Sequence, residues 1–328
     1  MKIAAVLPHM EIFGGVRRYI EIGNEFSKRG HCFVLFHPDG GKPEWLEFKG
    51  RTESFSSLGE GGFDVALCSE YSILPYFEKL KARVKFFYFL IEGHKMEKEV
   101  VRQSYFFLGN SVGICQRINK KYSISCYRAA GGVNPEIFYP LKKENRKEEF
   151  RMLCYGRLYK KRKGVQYVIH AVEKLYRKYP HLKLILFDSL VGRERIDPRK
   201  LIKTHVPYEF YMNLPQDKMA WLYSQADVFV SAERRAGWSN TTAEAMACQI
   251  PVVCTPSGTR DFAFHNHTAL VSPFPYPLFL RYQIEKLIQN EGLRHRLARE
   301  GWKRIKDFTW SALVNRLEQI FKEEAKLK

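Results

Sequence analysis

Residues 227 to 256 constrain this chain more than any other stretch. They hold the apolar run Val228 to Val230, a loop containing Gly237, a helix-forming run from Thr241 to Cys248, and a second apolar run from Pro251 to Cys254. Two short buried strands bracketing one helix spell a βαβ unit, the building block of parallel sheets. Ser239 and Asn240 are of the residue types that cap helix starts. The first turn of such a helix offers N–H groups without intrahelical acceptors and the positive end of the macrodipole. At the carboxyl edge of a parallel sheet, that junction is where open α/β proteins take phosphate-bearing ligands. Glu244 lies one turn in from Asn240. It is placed to reach a ligand at the helix start, or to serve as an ordinary capping-box or surface glutamate, and the stretch alone leaves both open.

The same grammar runs through the rest of the chain. Residues 3 to 7 are apolar and end at Pro8, and Gly14-Gly15 precede a helical pattern through Val16, Tyr19, Ile20 and Phe26 that stops at Gly30. His31 to His37 reads as the next strand, and further strands are expected at Val65 to Cys68, Lys85 to Ile91, Tyr105 to Leu108 and Cys126 to Ala129, with a helix over Ser111 to Lys121. The first loop lacks the Gly-x-Gly-x-x-Gly fingerprint, so it is a plain tight turn or a place where a ligand nears the backbone. Pro135 to Phe150 carries two prolines and a dense charge run, the composition of a linker. The pattern then restarts with a strand at Met152 to Tyr155, a helix over 164 to 178, a strand at Leu182 to Phe187, a polar connection through Pro198, a strand near Phe210 to Met212 and a helix over 216 to 225. Strands alternating with helices predict an α/β fold of two doubly wound parallel sheets, joined by a hinge-like linker that leaves a cleft. A length of 328 residues suits two domains. The tail from Phe308 to Lys328 is amphipathic through Leu313, Leu317, Ile320 and Phe321, a last helix that packs on either domain.

Composition narrows the setting. With 45% hydrophobic and 14% aromatic residues the chain is globular. Its apolar run Phe86 to Ile91 is far short of the roughly 20 residues a spanning helix needs. The N-terminus is broken by Pro8 and lacks a signal-peptide pattern. Seven cysteines, none in a Cys-x-x-Cys pair, fit free thiols in a reducing cytoplasm better than disulfides or a metal site. A net charge of +19 predicts attraction to nucleic acid, an acidic membrane or a phosphate-rich substrate, unless it reflects only a generally basic surface. No nucleic-acid motif supports the first of these. Arg17, Arg18, Lys28, Arg29, Lys79, Lys81, Arg83, Lys85, Lys95 and Lys98 are the first-domain candidates for electrostatic adsorption to a membrane.

Gly156-Arg157 follows the first strand of the second half, and Lys163 stands before the next helix. Two cations at the same sheet edge as Gly237 to Thr241 would make a diphosphate clamp, the Arg fork and the Lys point charge beside a helix start. Lys160, Lys161 and Arg162 read as a solvated basic patch. Together with Phe13-Gly14-Gly15-Val16, Gly131 to Pro140, and Glu244-Ala245-Met246-Ala247 before Pro251-Val252-Val253, this order resembles the retaining glycosyltransferases of the GT-B fold, in particular the GT4 group.

The resemblance implies two Rossmann-like domains facing a central cleft: an acceptor-side domain over residues 1–140 completed by a helix over 308–328, and a nucleotide-sugar-binding domain over 141–307. It implies that Arg157 and Lys163 hold the donor diphosphate and stabilise it as it leaves, with Gly237, Trp238, Ser239, Asn240 and Thr241 completing the site. Glu244 would hold the ribose, Tyr211 and Met212 would lie against the base, and Gly15 under the diphosphate. Glu92 and His94, after the aromatic strand, would act on the transferred sugar or the acceptor nucleophile. The family's first acid would fall eight residues before Glu244, where this chain has Ala236; Glu233 lies three residues earlier. Losing that carboxylate leaves a less polar wall from Ala236, Gly237 and Trp238, suited to a deoxysugar such as rhamnose. The expected function is metal-independent, cofactor-free hexosyl transfer with retention, from a nucleotide sugar to a glycan or lipid-linked acceptor. The expected location is cytoplasmic, with peripheral contact to the inner membrane face. The alternatives are a non-catalytic sugar-nucleotide or glycan-binding protein, a nucleic-acid-binding protein, and a sugar-nucleotide epimerase on the same architecture.

Overall fold

The computed structural model of the chain describes residues 1–142, 149–190 and 196–326. Most of the charge run in the expected linker (143–148) and part of the connection through Pro198 (191–195) lie outside the described residues. The chain forms two compact units: Met1–Gly132 with Trp310–Lys328, and Val133–Thr309.

In the first unit the elements run β1 (Lys2–Val6), α1 (Gly14–Lys28), β2 (Cys32–His37), β3 (Arg51–Ser54), β4 (Phe63–Cys68), α2 (Leu74–Lys79), β5 (Ala82–Phe89), α3 (Glu97–Val100), β6 (Phe106–Gly109), α4 (Val112–Tyr122) and β7 (Tyr127–Arg128). The seven strands pair in parallel in the order β3-β2-β1-β4-β5-β6-β7. The central strands are near-continuous apolar runs because helices cover both faces of a sheet wound this way. Tyr19, Ile20 and Phe26 of α1 are fully buried on one face, and Phe77, Ile114 and Ile118 are buried on the other.

The second unit runs β8 (Phe150–Tyr155), α5 (Val165–Tyr176), β9 (Leu182–Asp188), β10 (Tyr208–Met212), α6 (Met219–Ser224), β11 (Val228–Ser231), α7 (Asn240–Ala247), β12 (Val252–Cys254), β13 (Leu270–Val271), α8 (Pro277–Gln289) and α9 (Glu291–Ile305). Its six parallel strands take the order β10-β9-β8-β11-β12-β13. Winding reverses between β8 and β11, so the loops after those two strands diverge from one point at the carboxyl edge. That point is where open α/β sheets bind ligands.

The tail forms α10 (Trp310–Glu324) and belongs to the first unit. Leu313, Val314, Leu317 and Phe321 are fully buried there, and Phe321 lies 5.8 Å from Phe26 and 5.0 Å from Phe86 between ring centroids. Each such side chain contributes about 1.5–3 kcal/mol when removed from water, enough to fix where this helix packs. Residues 133–140 go with the second unit rather than the first. The Val133 N–H donates to the Phe308 carbonyl at 2.8 Å, and Phe138 packs edge-on against Tyr223 at 6.0 Å.

The expected adsorption surface of the first unit is partly otherwise engaged. Arg18 is 3% exposed, donating to the Tyr88 hydroxyl at 2.9 Å and lying over the Trp310 ring at 5.4 Å. Lys28 pairs with Glu25, Arg29 with Glu318, Arg83 with Asp64, and Lys85 with Glu78 and two backbone carbonyls. Among the described residues no helix is long and apolar enough to cross a membrane.

Candidate functional site

At the switch point of the second unit, β8 ends in Tyr155 and the chain turns through Gly156 into Arg157. β9 lies beside β8 with Phe187 opposite Tyr155, so the next residue of β9, Asp188, comes level with the turn. Arg157 Nε donates to Asp188 Oδ1 at 3.0 Å and Arg157 Nη2 to the same oxygen at 2.8 Å, with a further contact to the Ser189 carbonyl at 3.3 Å. Both side chains are buried, and Asp188 also accepts the Ser189 N–H at 2.8 Å. Burial works to lower the Arg157 pKa, but Tyr155 and Asp188 outweigh it and the pKa is raised.

The loop after Arg157 carries Lys163 and closes on Gly164, which has φ +67°. A Cβ there would stand 2.1 Å from the Ala232 carbonyl oxygen. Only glycine lets the β8–α5 loop lie this close to the end of β11. That approach brings Lys163 Nζ onto Glu233 Oε1 in an ion pair. The other Glu233 oxygen accepts from Ser239 Oγ at 2.7 Å, Ser239 Oγ meets Thr242 Oγ1 at 2.8 Å, and Thr255 Oγ1 donates to the Glu233 carbonyl. One hydrogen-bonded chain thus ties the lysine loop to the first turn of α7. Ser239 is the N-cap residue by backbone geometry, yet its hydroxyl serves Glu233 rather than an α7 N–H.

Arg157 and Lys163 share a ring. The Arg157 guanidinium carbon lies 5.1 Å and the Lys163 Nζ 5.2 Å from the Tyr155 centroid. Burial first and the Asp188 charge second push the Tyr155 phenol well above its ordinary pKa. From Tyr155 an aromatic path runs to Phe187 at 5.4 Å, then to Tyr223 at 5.9 Å. The Tyr223 hydroxyl donates to Glu244 Oε2 at 2.9 Å, which fixes the carboxylate on the inward side of α7. Glu244 is 7% exposed, so a purely surface role does not describe it.

β10 brings Met212 level with Asp188 and Tyr211 level with Phe187. The Tyr211 hydroxyl donates to Glu209 at 2.7 Å and its ring meets Trp221 edge-on at 5.6 Å. Ala236 and Trp238 are both buried. The Ala236 N–H donates to Ser257 Oγ at 2.8 Å, and the Trp238 ring packs on Phe262 at 4.8 Å and Phe308 at 5.4 Å. The indole is committed to that aromatic packing, which is not the sugar-facing wall that its place in the sequence suggests. Gly258, at φ +72°, lets its loop close over this segment, and its carbonyl accepts the Ser239 N–H at 2.9 Å.

The remaining expected residues lie in the first unit. Gly15 is the second residue of α1, with Leu90 3.4 Å from where its Cβ would be. His94 stacks on Tyr71 with centroids 3.8 Å apart and accepts the Met96 N–H at Nδ1. Glu92 is half-buried on the same loop. That loop is held by Glu97, a fully buried carboxylate that accepts the Gly93 and His94 N–H groups and pairs with Arg117 of α4. Burial opposes ionisation of Glu97, but the Arg117 hydrogen bond and charge prevail and lower its pKa. Asp188, Tyr155 and Glu97 are thus structural determinants that sequence reasoning missed. Strand register or tertiary packing was needed to find them.

Two Rossmann-like parallel sheets, with a cation-bearing loop meeting a helix start at the switch point of the second, define a two-unit α/β protein. Solved structures share this fold, the GT-B fold, along almost the whole chain. Sucrose-phosphate synthase from Thermosynechococcus elongatus matches with a TM-score of 0.81 at 15% identity, covering 98% of each chain. HepE from Anabaena, solved with UDP-glucose, matches with a TM-score of 0.77 at 13% identity, covering 98% of this chain and 100% of that one. The chain belongs to the glycosyl transferases group 1 family, whose model matches residues 138–304. The capsular polysaccharide biosynthesis glycosyltransferase CapM of Staphylococcus aureus is 28% identical over 169 residues, 51% of this chain and 44% of CapM. Mannosylfructose-phosphate synthase of Agrobacterium fabrum is 28% identical over 181 residues, 51% of this chain and 39% of that enzyme. The chain spans about half the length, or less, of the curated relatives it matches.

Proposed function

We propose that this chain transfers a hexosyl group from a nucleotide-sugar donor to a glycan or lipid-linked acceptor, with retention of configuration and without a metal or other cofactor. The observation that carries the reading is the convergence of Arg157, Lys163 and the first turn of α7 at one sheet edge, tied together through Tyr155, Glu233 and Ser239. As the glycosidic bond breaks, negative charge grows on the leaving diphosphate. Arg157, Lys163 and the α7 N–H groups are fixed donors that stabilise that charge. Glu244 takes the ribose hydroxyls, with Tyr211 and Met212 on the base side. Gly15 of the first unit serves the donor diphosphate, and Glu92 and His94 of the same unit act on the transferred sugar or the acceptor nucleophile.

Glu233 is the acid that stands in for the family carboxylate absent at Ala236, and it reads the donor sugar once the diphosphate draws Lys163 away from it. A sugar lacking a hydroxyl, such as a deoxyhexose, suits a site with this single displaced acid. HepE, solved with UDP-glucose, makes UDP-sugars the first donors to try. The test is a thermal-shift screen against UDP, GDP, dTDP and ADP sugars, followed by turnover with the donor that binds. One donor family should raise the midpoint, and Arg157→Ala or Lys163→Ala should sharply cut turnover. Unchanged turnover in either folded variant overturns the assignment. The second reading, a binding module without transfer, is favoured by Ala236 alone. Donor binding with no transfer or hydrolysis would select it.

A further inference from the structure

The second unit exposes a group of large apolar side chains around the start of α8. Phe274, Tyr276, Leu278 and Tyr282 are 50%, 52%, 61% and 59% exposed. They are contiguous: the Phe274 ring lies 6.3 Å from Tyr276 and 5.1 Å from Phe279, and Tyr276 meets Tyr167 of α5 edge-on at 5.8 Å. Single exposed apolar residues are ordinary, but a contiguous set of this size on one helix start marks a surface that meets another phase or partner.

Charge says which. Arg234 lies over the Tyr167 ring at 5.5 Å and its N–H donates to the Arg162 carbonyl, so the aromatic group runs directly into the exposed basic loops after β8 and β11. α5 runs alongside α8, since Tyr167 meets Tyr276 near one end and Lys178 and Tyr179 bind Glu285 near the other. Lys174 on the solvent side of α5 and Arg177 and Lys178 just past its end are exposed, and Lys286 covers the Tyr282 ring at 4.3 Å. The carboxylates on this pair are Glu173 and Glu285, and Glu285 is neutralised by Lys178. Phe, Leu and Tyr side chains ringed by Lys and Arg are the arrangement of proteins that lie in the headgroup region of an anionic bilayer. The apolar tips enter the acyl boundary while the cations meet lipid phosphates.

We infer that the α5–α8 face of the second unit docks this protein on an anionic membrane surface, with Phe274, Leu278 and Tyr282 as the inserting side chains. This surface differs from the first-unit lysines and arginines that charge alone suggests. It is independent of the donor reading, because adsorption needs no nucleotide.

The experiment is flotation of the full chain with phosphatidylcholine vesicles, with and without phosphatidylglycerol, at low and raised salt. The chain should float with the anionic vesicles and not the neutral ones. The variant Phe274→Ser/Leu278→Ser/Tyr282→Ser should lose at least about tenfold in partitioning. Lys174→Glu/Arg177→Glu should weaken binding and Lys95→Glu/Lys98→Glu, in the first unit, should leave it unchanged. Near-ultraviolet circular dichroism shows that each variant is folded. Failure of the full chain to float, or equal flotation of the folded serine variant, overturns the inference. A dimer in light scattering that the serine substitutions dissolve, with no vesicle binding, would assign the face to a second copy of the chain instead.

Discussion

The Arg157–Asp188 pair offers the sharpest separation of fold from ligand binding. Both partners are buried and joined by contacts of 2.8, 3.0 and 3.3 Å. Removing one partner strands a charge in a poorly solvated place, at a cost of about 3–5 kcal/mol. For a unit the size of Val133–Thr309, each kcal/mol moves the melting midpoint by roughly 2–4 °C, so Arg157→Met or Asp188→Leu alone should lower it by about 6–20 °C. The double replacement Arg157→Met/Asp188→Leu removes both charges and leaves mainly the Ser189 N–H and the Tyr155 hydroxyl without their acceptor, about 1–3 kcal/mol. It should therefore cost at least about 2 kcal/mol less than the sum of the two single changes. Calorimetric unfolding of the four proteins, with nucleoside diphosphate titrated into each, reads both properties. The double variant should be the more stable one and still fail to bind. Single changes that each cost under about 1 kcal/mol and add would refute the buried-pair reasoning. A double variant that binds normally would remove Arg157 from the site.

Other expectations are smaller in scope. Gly164→Ala forces a Cβ to within 2.1 Å of the Ala232 oxygen in a left-handed backbone; chemical denaturation should show a loss of about 2 kcal/mol or more, with weakened diphosphate binding. Tyr155→Phe keeps the ring shared by Arg157 and Lys163 and should hold diphosphate affinity within about twofold, whereas Tyr155→Leu should lose roughly fivefold or more in the same titration. Glu233→Gln should change the ratio of kcat/KM between deoxy and fully hydroxylated donor sugars more than it changes affinity for the free diphosphate; the opposite pattern would make Glu233 only a tether for Lys163. A hydrogen bond from Lys322, against burial and with help from Arg29 and His31, holds the Glu318 carboxyl down to about 2. Its folded-state pKa lies below its unfolded one, so the stability it lends is complete above the ordinary carboxylate range and is lost as pH falls from there toward 2. Glu318→Gln should cost about 1 kcal/mol at neutral pH and flatten that acid limb in a pH series of melts.

Much of the architecture was legible because it rests on short-range patterns. The apolar runs at 3–7, 65–68 and 228–230 became β1, β4 and β11, and the helical spacing of Leu313, Leu317 and Phe321 became α10. Arg157, Lys163 and Ser239 were legible as a set because each follows a strand or precedes a helix, with Glu244 one turn inside α7, and the winding order gathers such positions at one edge. Register and packing were not legible. Asp188 faces Arg157 only because β9 lies beside β8, and Glu233 reaches Lys163 only because Gly164 lets two loops touch. Trp238 reads as a pocket residue in sequence, yet Phe262 and Phe308, far along the chain, enclose it. The segment from Pro277 to Ile305 gave no clear signal. Leu278, Phe279 and Tyr282 break the one-sided pattern of α8, and those residues carry the proposed membrane face.

The central claim is that Arg157, Lys163 and the start of α7 form a nucleotide-sugar donor site, and isothermal titration with nucleoside phosphates tests it most directly. One nucleoside diphosphate should bind the parent protein at least about tenfold more tightly than its monophosphate, because the second phosphate meets both cations. That preference should vanish in folded Lys163→Ala. Equal affinity for mono- and diphosphate, or a preference that survives the loss of Lys163, would contradict it.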